Sequence, residues 1–130
     1  MLTSKHLVVG NLYTRHELMG MFDIKDATIN TGIFQPKDHE SIWLFVTKDK
    51  TPDRTQYSDI LDGDDLYIDG QNSGRTDAKL IHHERDGLEV ILFYRRRKDE
   101  NPEYAFHYEG RFKYIGHRGL QPAQFHFRRI

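Results

Sequence analysis

The sequence predicts an α+β fold that is mostly β: a compact, bent β-barrel of about seven strands with two short flanking helices. Three observations carry this expectation. Aromatic residues make up 12% of the chain, with seven Tyr and eight Phe, and such side chains favour strands. Short apolar or alternating runs recur between turn residues, at the spacing of a barrel or sandwich. Helix-start signals stand out only near Thr14 and Asp77.

Taken in order, His6-Leu7-Val8-Val9 opens a first strand. Thr14-Arg15-His16-Glu17 matches a capping box, in which the Thr hydroxyl and the Glu carboxylate each satisfy an amide at a helix start. The helix runs to about Phe22, with Leu18, Met19 and Phe22 at helical spacing. Asn30-Thr31-Gly32 turns the chain into a short strand at Ile33-Phe34, which Pro36 ends. Ser41 to Thr47 is bulky and apolar throughout and reads as a strand. Lys48 to Gln56 is polar, contains Pro52 and reads as an exposed loop.

Asp62-Gly63-Asp64 is a turn, and Leu66 to Asp69 is the next strand. Asp77 caps a second helix running to about Arg85, closed by Asp86-Gly87. Leu88 to Arg95 is a strong strand signal, and Arg96 to Glu103 a charged hairpin loop. Tyr104 to Tyr108 alternates, Gly110 breaks, Arg111 to Ile115 alternates again, and Phe125 to Phe127 is the last strand. Alternation along Phe112–Ile115 and Phe125–Arg128 buries one face and puts Lys113, His126 and Arg128 on a shared exposed side.

The bulk numbers set the bounds. A chain of 130 residues favours one domain over 1–130. With 37% hydrophobic and 30% charged residues it is expected to be a soluble, cytoplasmic protein. It has no Cys, which excludes a disulfide framework and a thiolate zinc site. No segment approaches membrane-spanning length. The net charge of −1 hides an asymmetry. Residues 1–65 hold seven Lys/Arg against eleven Asp/Glu, and residues 66–130 hold twelve against nine. The last twenty residues carry Arg111, Lys113, Arg118, Arg128 and Arg129 with no acid. Such an end supplies either a phosphate-facing surface or a solvated tail.

The stretch from Ser41 to Asp77 is the richest in chemistry. Strands and loops there bring together tyrosine, carboxylates, a glutamine and an arginine, a small polar pocket with an aromatic wall. That pocket suits a planar, hydrogen-bonding ligand such as a nucleobase. Its candidate residues are Tyr57, Asp59, Tyr67, Ile68 and Gln71. Candidate phosphate contacts are Arg15, Lys48, Lys50, Arg54, Arg75, Arg95, Lys113 and Arg128.

In order and in motif, this region resembles the SET- and RING-associated (SRA) domain and its bacterial relatives in modification-dependent restriction enzymes. The matching pieces are Gly32-Ile33, Ser41-Ile42-Trp43-Leu44, Tyr57-Ser58-Asp59, Asp62-Gly63-Asp64, Leu66 to Gly70 and Gly74-Arg75-Thr76-Asp77. Ile81-His82-His83, Leu92-Phe93 and Phe106-His107-Tyr108-Glu109-Gly110 look like the bacterial branch. Tyr13-Thr14-Arg15 also resembles a domain found behind some bacterial helicases. The resemblance spans residues 13–115.

It implies a module that binds double-stranded DNA and flips a modified base, often 5-methylcytosine or another modified cytosine, into a pocket. Such a module serves as the specificity part of a restriction or defence system whose nuclease or helicase partner lies elsewhere. Tyr57 resembles the tyrosine that stacks on the flipped base, and Asp59 the acid that accepts from the exocyclic amine. The family's second aromatic wall falls two residues before the strand-ending glycine, where this chain has Ile68. Tyr67 next to it points to the opposite face of a strand. The segment Lys48–Gln56 is longer than the family spacing, as a recognition loop or a variable excursion.

The residues leave other readings open. The acids Asp59, Asp62, Asp64 and Asp65 suggest a small divalent-metal-dependent nuclease, although Glu89-Val90-Ile91 does not supply the usual acid-x-Lys. A protein-interaction barrel is the plainest alternative. Eight histidines include no His-x₃-His pair, so neither a metal nor a cofactor is expected. Of the adjacent His82 and His83, one is expected to pack beneath the barrel or contact DNA.

Overall fold

A computed structural model describes residues 2–49, 59–70 and 73–130. The elements are β1 (Leu12–Tyr13), α1 (Arg15–Phe22), β2 (Ile33–Phe34), β3 (Ser41–Asp49), β4 (Ile60–Asp62), β5 (Asp65–Asp69), α2 (Asp77–Ile81), β6 (Glu89–Arg97), β7 (Phe106–Arg118) and β8 (Gln124–Arg129). They form one eight-stranded sheet in the order β2-β3-β6-β7-β8-β5-β4, with β1 pairing on β7. Among the described residues only β3 and β6 run parallel; the other pairs are antiparallel.

The sheet is curled but open. Among the described residues no ladder joins β2 to β4, so the expected barrel is not closed. The curl brings the two ends of the sheet around a common core. Ile42, Leu44 and Val46 of β3 share one cluster with Leu66 and Ile68 of β5, Val90 and Leu92 of β6, and Phe125 and Phe127 of β8. Leu80 of α2 plugs this inner core. A second cluster sits on the opposite face, where Trp43, Phe45, Ile91, Phe93, Phe106 and Tyr108 are covered by Leu7, Leu18 and Ile29.

One strand serves both cores through a bulge. Phe93 pairs with Tyr108 and Leu92 with Gly110, so Glu109 is the extra residue. The insertion moves the even-numbered positions of β7 from one face to the other. Phe106 and Tyr108 therefore pack under α1, and Phe112 packs inside. Gly110 takes φ +92° there, a conformation open to glycine. The Gly110 break expected from sequence is thus a bulge within a single long strand.

Local chemistry explains the other elements. The capping box forms: the Thr14 amide donates to Glu17 Oε1 and the Glu17 amide to Thr14 Oγ1, both at 3.0 Å. His6–Val9 is not a strand, because Thr3–His6 winds into a 3-10 turn. Thr3 donates to Ser41 Oγ at 2.9 Å and accepts from Trp43 Nε1 at 2.9 Å, while the Ser4 amide donates to Glu89 Oε2 at 3.0 Å. These bonds fold the turn onto the sheet. The second helix is shorter than expected, and Asp77 is its first residue rather than its cap. After it, His83 is buried and bonds Leu88 O through Nδ1 at 2.8 Å, while its Nε2 accepts from the Tyr114 amide at 3.1 Å. Of the two adjacent histidines, His83 is therefore the one that packs beneath the sheet. No helix among the described residues is long and apolar enough to cross a membrane.

Candidate nucleic-acid interface

The curl leaves a small cleft at the seam between the two ends of the sheet. It is lined by Gly32 and Ile33 near β2, Phe45 and Val46 of β3, Asp59, and Ile68, Asp69 and Gly70 at the end of β5, and its volume is about 150 Å³. The Asp69 amide donates to Asp59 Oδ1 at 3.0 Å, which fixes the carboxylate. Ile68 is 5% exposed and belongs to both the inner core and the cleft wall. A Cβ on Gly70 would come within 2.7 Å of the Phe125 ring and 3.0 Å of Asp77 Oδ1. Glycine at this rim is required by that close approach.

Tyr57 and Gln71, which sequence places in the pocket, lie outside the described residues, as do Lys50 and Arg54. Asp59 and Ile68 do come together in the cleft. Tyr67 does not join them. It is 40% exposed on the opposite face of β5, with its ring stacked on His126 at 4.6 Å and 17°. Alternation along the strand separates the two neighbours, as its geometry requires.

Tyr67 instead lines a larger groove of about 510 Å³, which Ile68 also borders, with His117, Arg118, Gln124 and His126. Its polar groups pair with one another or with neighbours. His126 Nε2 lies 2.7 Å from Asp65 Oδ1, which also accepts from Arg128 Nε at 3.0 Å. Arg118 Nε donates to Gln124 Oε1 at 3.0 Å. Those hydrogen bonds, from His126 first and then Arg128, hold the Asp65 carboxyl below its ordinary value. Sequence alternation placed His126 beside Arg128, but only the strand register reveals Asp65 and Tyr67 as their cross-strand partners.

The basic candidates separate into two groups. Lys113 and Arg128 face each other across β7 and β8, on the side that also carries His126, as the alternation predicts. Arg75 is exposed in the turn that precedes α2. Lys48 lies within β3 rather than in a loop, because that strand continues to Asp49. Arg15 and Arg95 lie elsewhere, packed on the aromatic cluster. Arg95 is 8% exposed, with Nε donating to Thr47 Oγ1 at 2.8 Å and its guanidinium 4.0 Å from the Phe106 centroid. Arg15 lies 4.4 Å over Phe45 and 5.0 Å from Phe106. Burial, with Arg95 nearby, lowers its pKa to about 10.

The acid cluster does not converge on a cation. Asp64 pairs with Arg129 Nε at 3.0 Å and Asp65 with His126 and Arg128. Among the described residues no group of three His, Asp or Glu is disposed to hold a metal.

Comparison with known proteins adds a shared fold. The chain is similar in structure to a modification-dependent TagI restriction endonuclease, with 19% sequence identity and a TM-score of 0.52. The similarity covers 95% of this chain and 50% of that one, so this chain spans half of that endonuclease. No family model matches the chain, and no curated protein matches it.

Proposed function

We propose that the protein is a DNA-binding module that reads a modified base, a modified cytosine as the family resemblance implies, by taking it out of the duplex into the Asp59 cleft. The observation that carries this reading is the cleft itself: a fixed carboxylate beside apolar walls, in about 150 Å³. A site of roughly that volume has room for one six-membered ring. A carboxylate accepting from an exocyclic amine is the usual complement of cytosine. The fold shared with half of a modification-dependent restriction endonuclease supports the same reading.

The energetics are compatible. Extrusion costs a few kcal/mol, the Asp59 contact returns about 1–3 kcal/mol, and stacking by Tyr57 a similar amount. Ile68 forms the apolar wall where an aromatic one would be expected, so the base is stacked on one side only. Phosphate contacts by Lys113, Arg128 and Arg75 supply affinity that does not depend on sequence. Cleavage belongs to another domain or chain, and the setting is restriction of modified DNA in the cytoplasm. Asp64 and Asp65, bound to Arg129, His126 and Arg128, give a nuclease centre at the acid cluster no support.

The test is a binding titration against matched duplexes, unmodified or carrying methyl-, hydroxymethyl- or glucosylated hydroxymethylcytosine, at two salt concentrations. Preference for one modified duplex that persists at the higher salt is expected. Equal binding to all duplexes, lost together as salt rises, would reduce the interface to a basic surface and end the base-reading proposal.

A further inference from the structure

Arg15 and Arg95 present an electrostatic problem that the fold does not solve internally. Both guanidinium groups sit within 5.0 Å of the Phe106 centroid, one from α1 and one from β6. Neither has a carboxylate at ion-pair distance among the described residues; burial disfavours the charge of both, and Arg95 lies close enough to disfavour that of Arg15 further. Cation–π contact with Phe45 and Phe106 offsets part of that cost, but a ring carries no net charge. Two partly desolvated cations without a counter-charge are poised for an anion.

Their hydrogen bonding points the same way. Arg15 uses Nε on Ile29 O at 3.0 Å, and Arg95 uses Nε on Thr47 and one terminal nitrogen on Tyr104 O at 2.6 Å. Among the described residues, the buried side-chain atoms left without a partner are His39 Nδ1, Thr76 Oγ1 and Asp77 Oδ1. The remaining arginine N–H groups are therefore not sealed in the core. These bonds hold both forks in place before any ligand arrives, which lowers the ordering cost of binding.

We propose that Arg15 and Arg95 form a two-guanidinium clamp for a phosphate group, filled in the working protein by a phosphodiester of the DNA backbone. The clamp and the cleft share one segment of β3. Phe45 and Thr47 hold the two arginines, and Val46 between them lines the cleft. A backbone phosphate fixed there anchors the strand beside the seam at which a base is taken up. The clamp rests on the DNA-binding part of the proposed function but not on recognition of any modification.

Arginine Nε–H NMR signals of the full chain, titrated with inorganic phosphate against chloride at equal ionic strength and then with a short unmodified duplex, test it. Arg15 and Arg95 are expected to shift together to saturation with both ligands, while the exposed Arg85, paired with Asp86 at 3.1 Å, stays still. Replacing either arginine by lysine, Arg15→Lys or Arg95→Lys, keeps the charge but loses the fork, and should weaken phosphate binding roughly ten- to hundredfold. Shifts no larger than those of Arg85 overturn the clamp. Saturation by phosphate without response to the duplex overturns its DNA role. Because the duplex is unmodified, failure here is separate from failure of base reading, which shows as lost discrimination between modified and plain DNA.

Discussion

Two concavities meet along β5. Ile68 lines both a cleft of about 150 Å³ and, beside Tyr67, a groove of about 510 Å³, whereas Tyr67 lines only the groove. The larger one has the more conspicuous chemistry: two imidazoles, an arginine and an exposed aromatic ring. Yet its polar groups are already engaged, His126 with Asp65 and Arg118 with Gln124, and its tyrosine is stacked on the His126 imidazole. The smaller one is the more polar, and in it the Asp59 carboxylate is held by the Asp69 amide beside Ile33, Val46 and Ile68. Size is thus a poor guide here; the disposition of the polar groups separates a ligand site from a self-satisfied surface.

The sharpest way to break that comparison is to truncate the two neighbours. Ile68→Ala empties part of the core and should cost about 2–4 kcal/mol in denaturant unfolding. Tyr67→Ala removes an exposed ring and should cost under about 1 kcal/mol. Equal costs would contradict the assignment of the two faces. For binding, Asp59→Asn should lower preference for the modified duplex roughly ten- to hundredfold, the worth of one specific base contact, while Tyr67→Ala leaves that preference intact. Titration of both variants against the same duplex pair reads this directly.

Smaller effects concern the supports. Thr14→Ala removes the cap that fixes α1 over Phe45 and should cost about 1 kcal/mol, measured by thermal or denaturant melting. On the outer face, Asp65 is held below the ordinary carboxylate value of about 4. Its folded-state value is the lower one, so its contribution is complete above that pH and is lost as pH falls through the folded value. Stability of Asp65→Asn should therefore fall less steeply with acid below about pH 4 than that of the parent chain. Parallel curves would show that the His126–Arg128 pairing does not favour the carboxylate.

Much of this architecture was legible in the sequence because local chemistry decides it. The Thr14–Glu17 box, the apolar run at Ser41, and the alternation placing Lys113, His126 and Arg128 together all depend on neighbours in the chain. What escaped depends on partners far away. The Thr3 turn is set by Ser41 and Trp43, and the bulge at Glu109 by pairing with β6. The two-residue β1 and three-residue β4 carry too little periodicity to be seen alone. The same holds for the site. Asp59 and Ile68 meet in the cleft, but the packing of Arg15 and Arg95, both candidate phosphate contacts, on one Phe106 ring joins elements distant in sequence.

The central claim is that a single base leaves the duplex for the Asp59 cleft. Fluorescence of 2-aminopurine placed beside the modified cytosine tests it most directly, because unstacking its neighbour raises its emission. A rise that saturates with binding, persists in Tyr67→Ala and disappears in Asp59→Asn is the predicted result. Binding with unchanged emission, or an equal rise in Asp59→Asn, would contradict it.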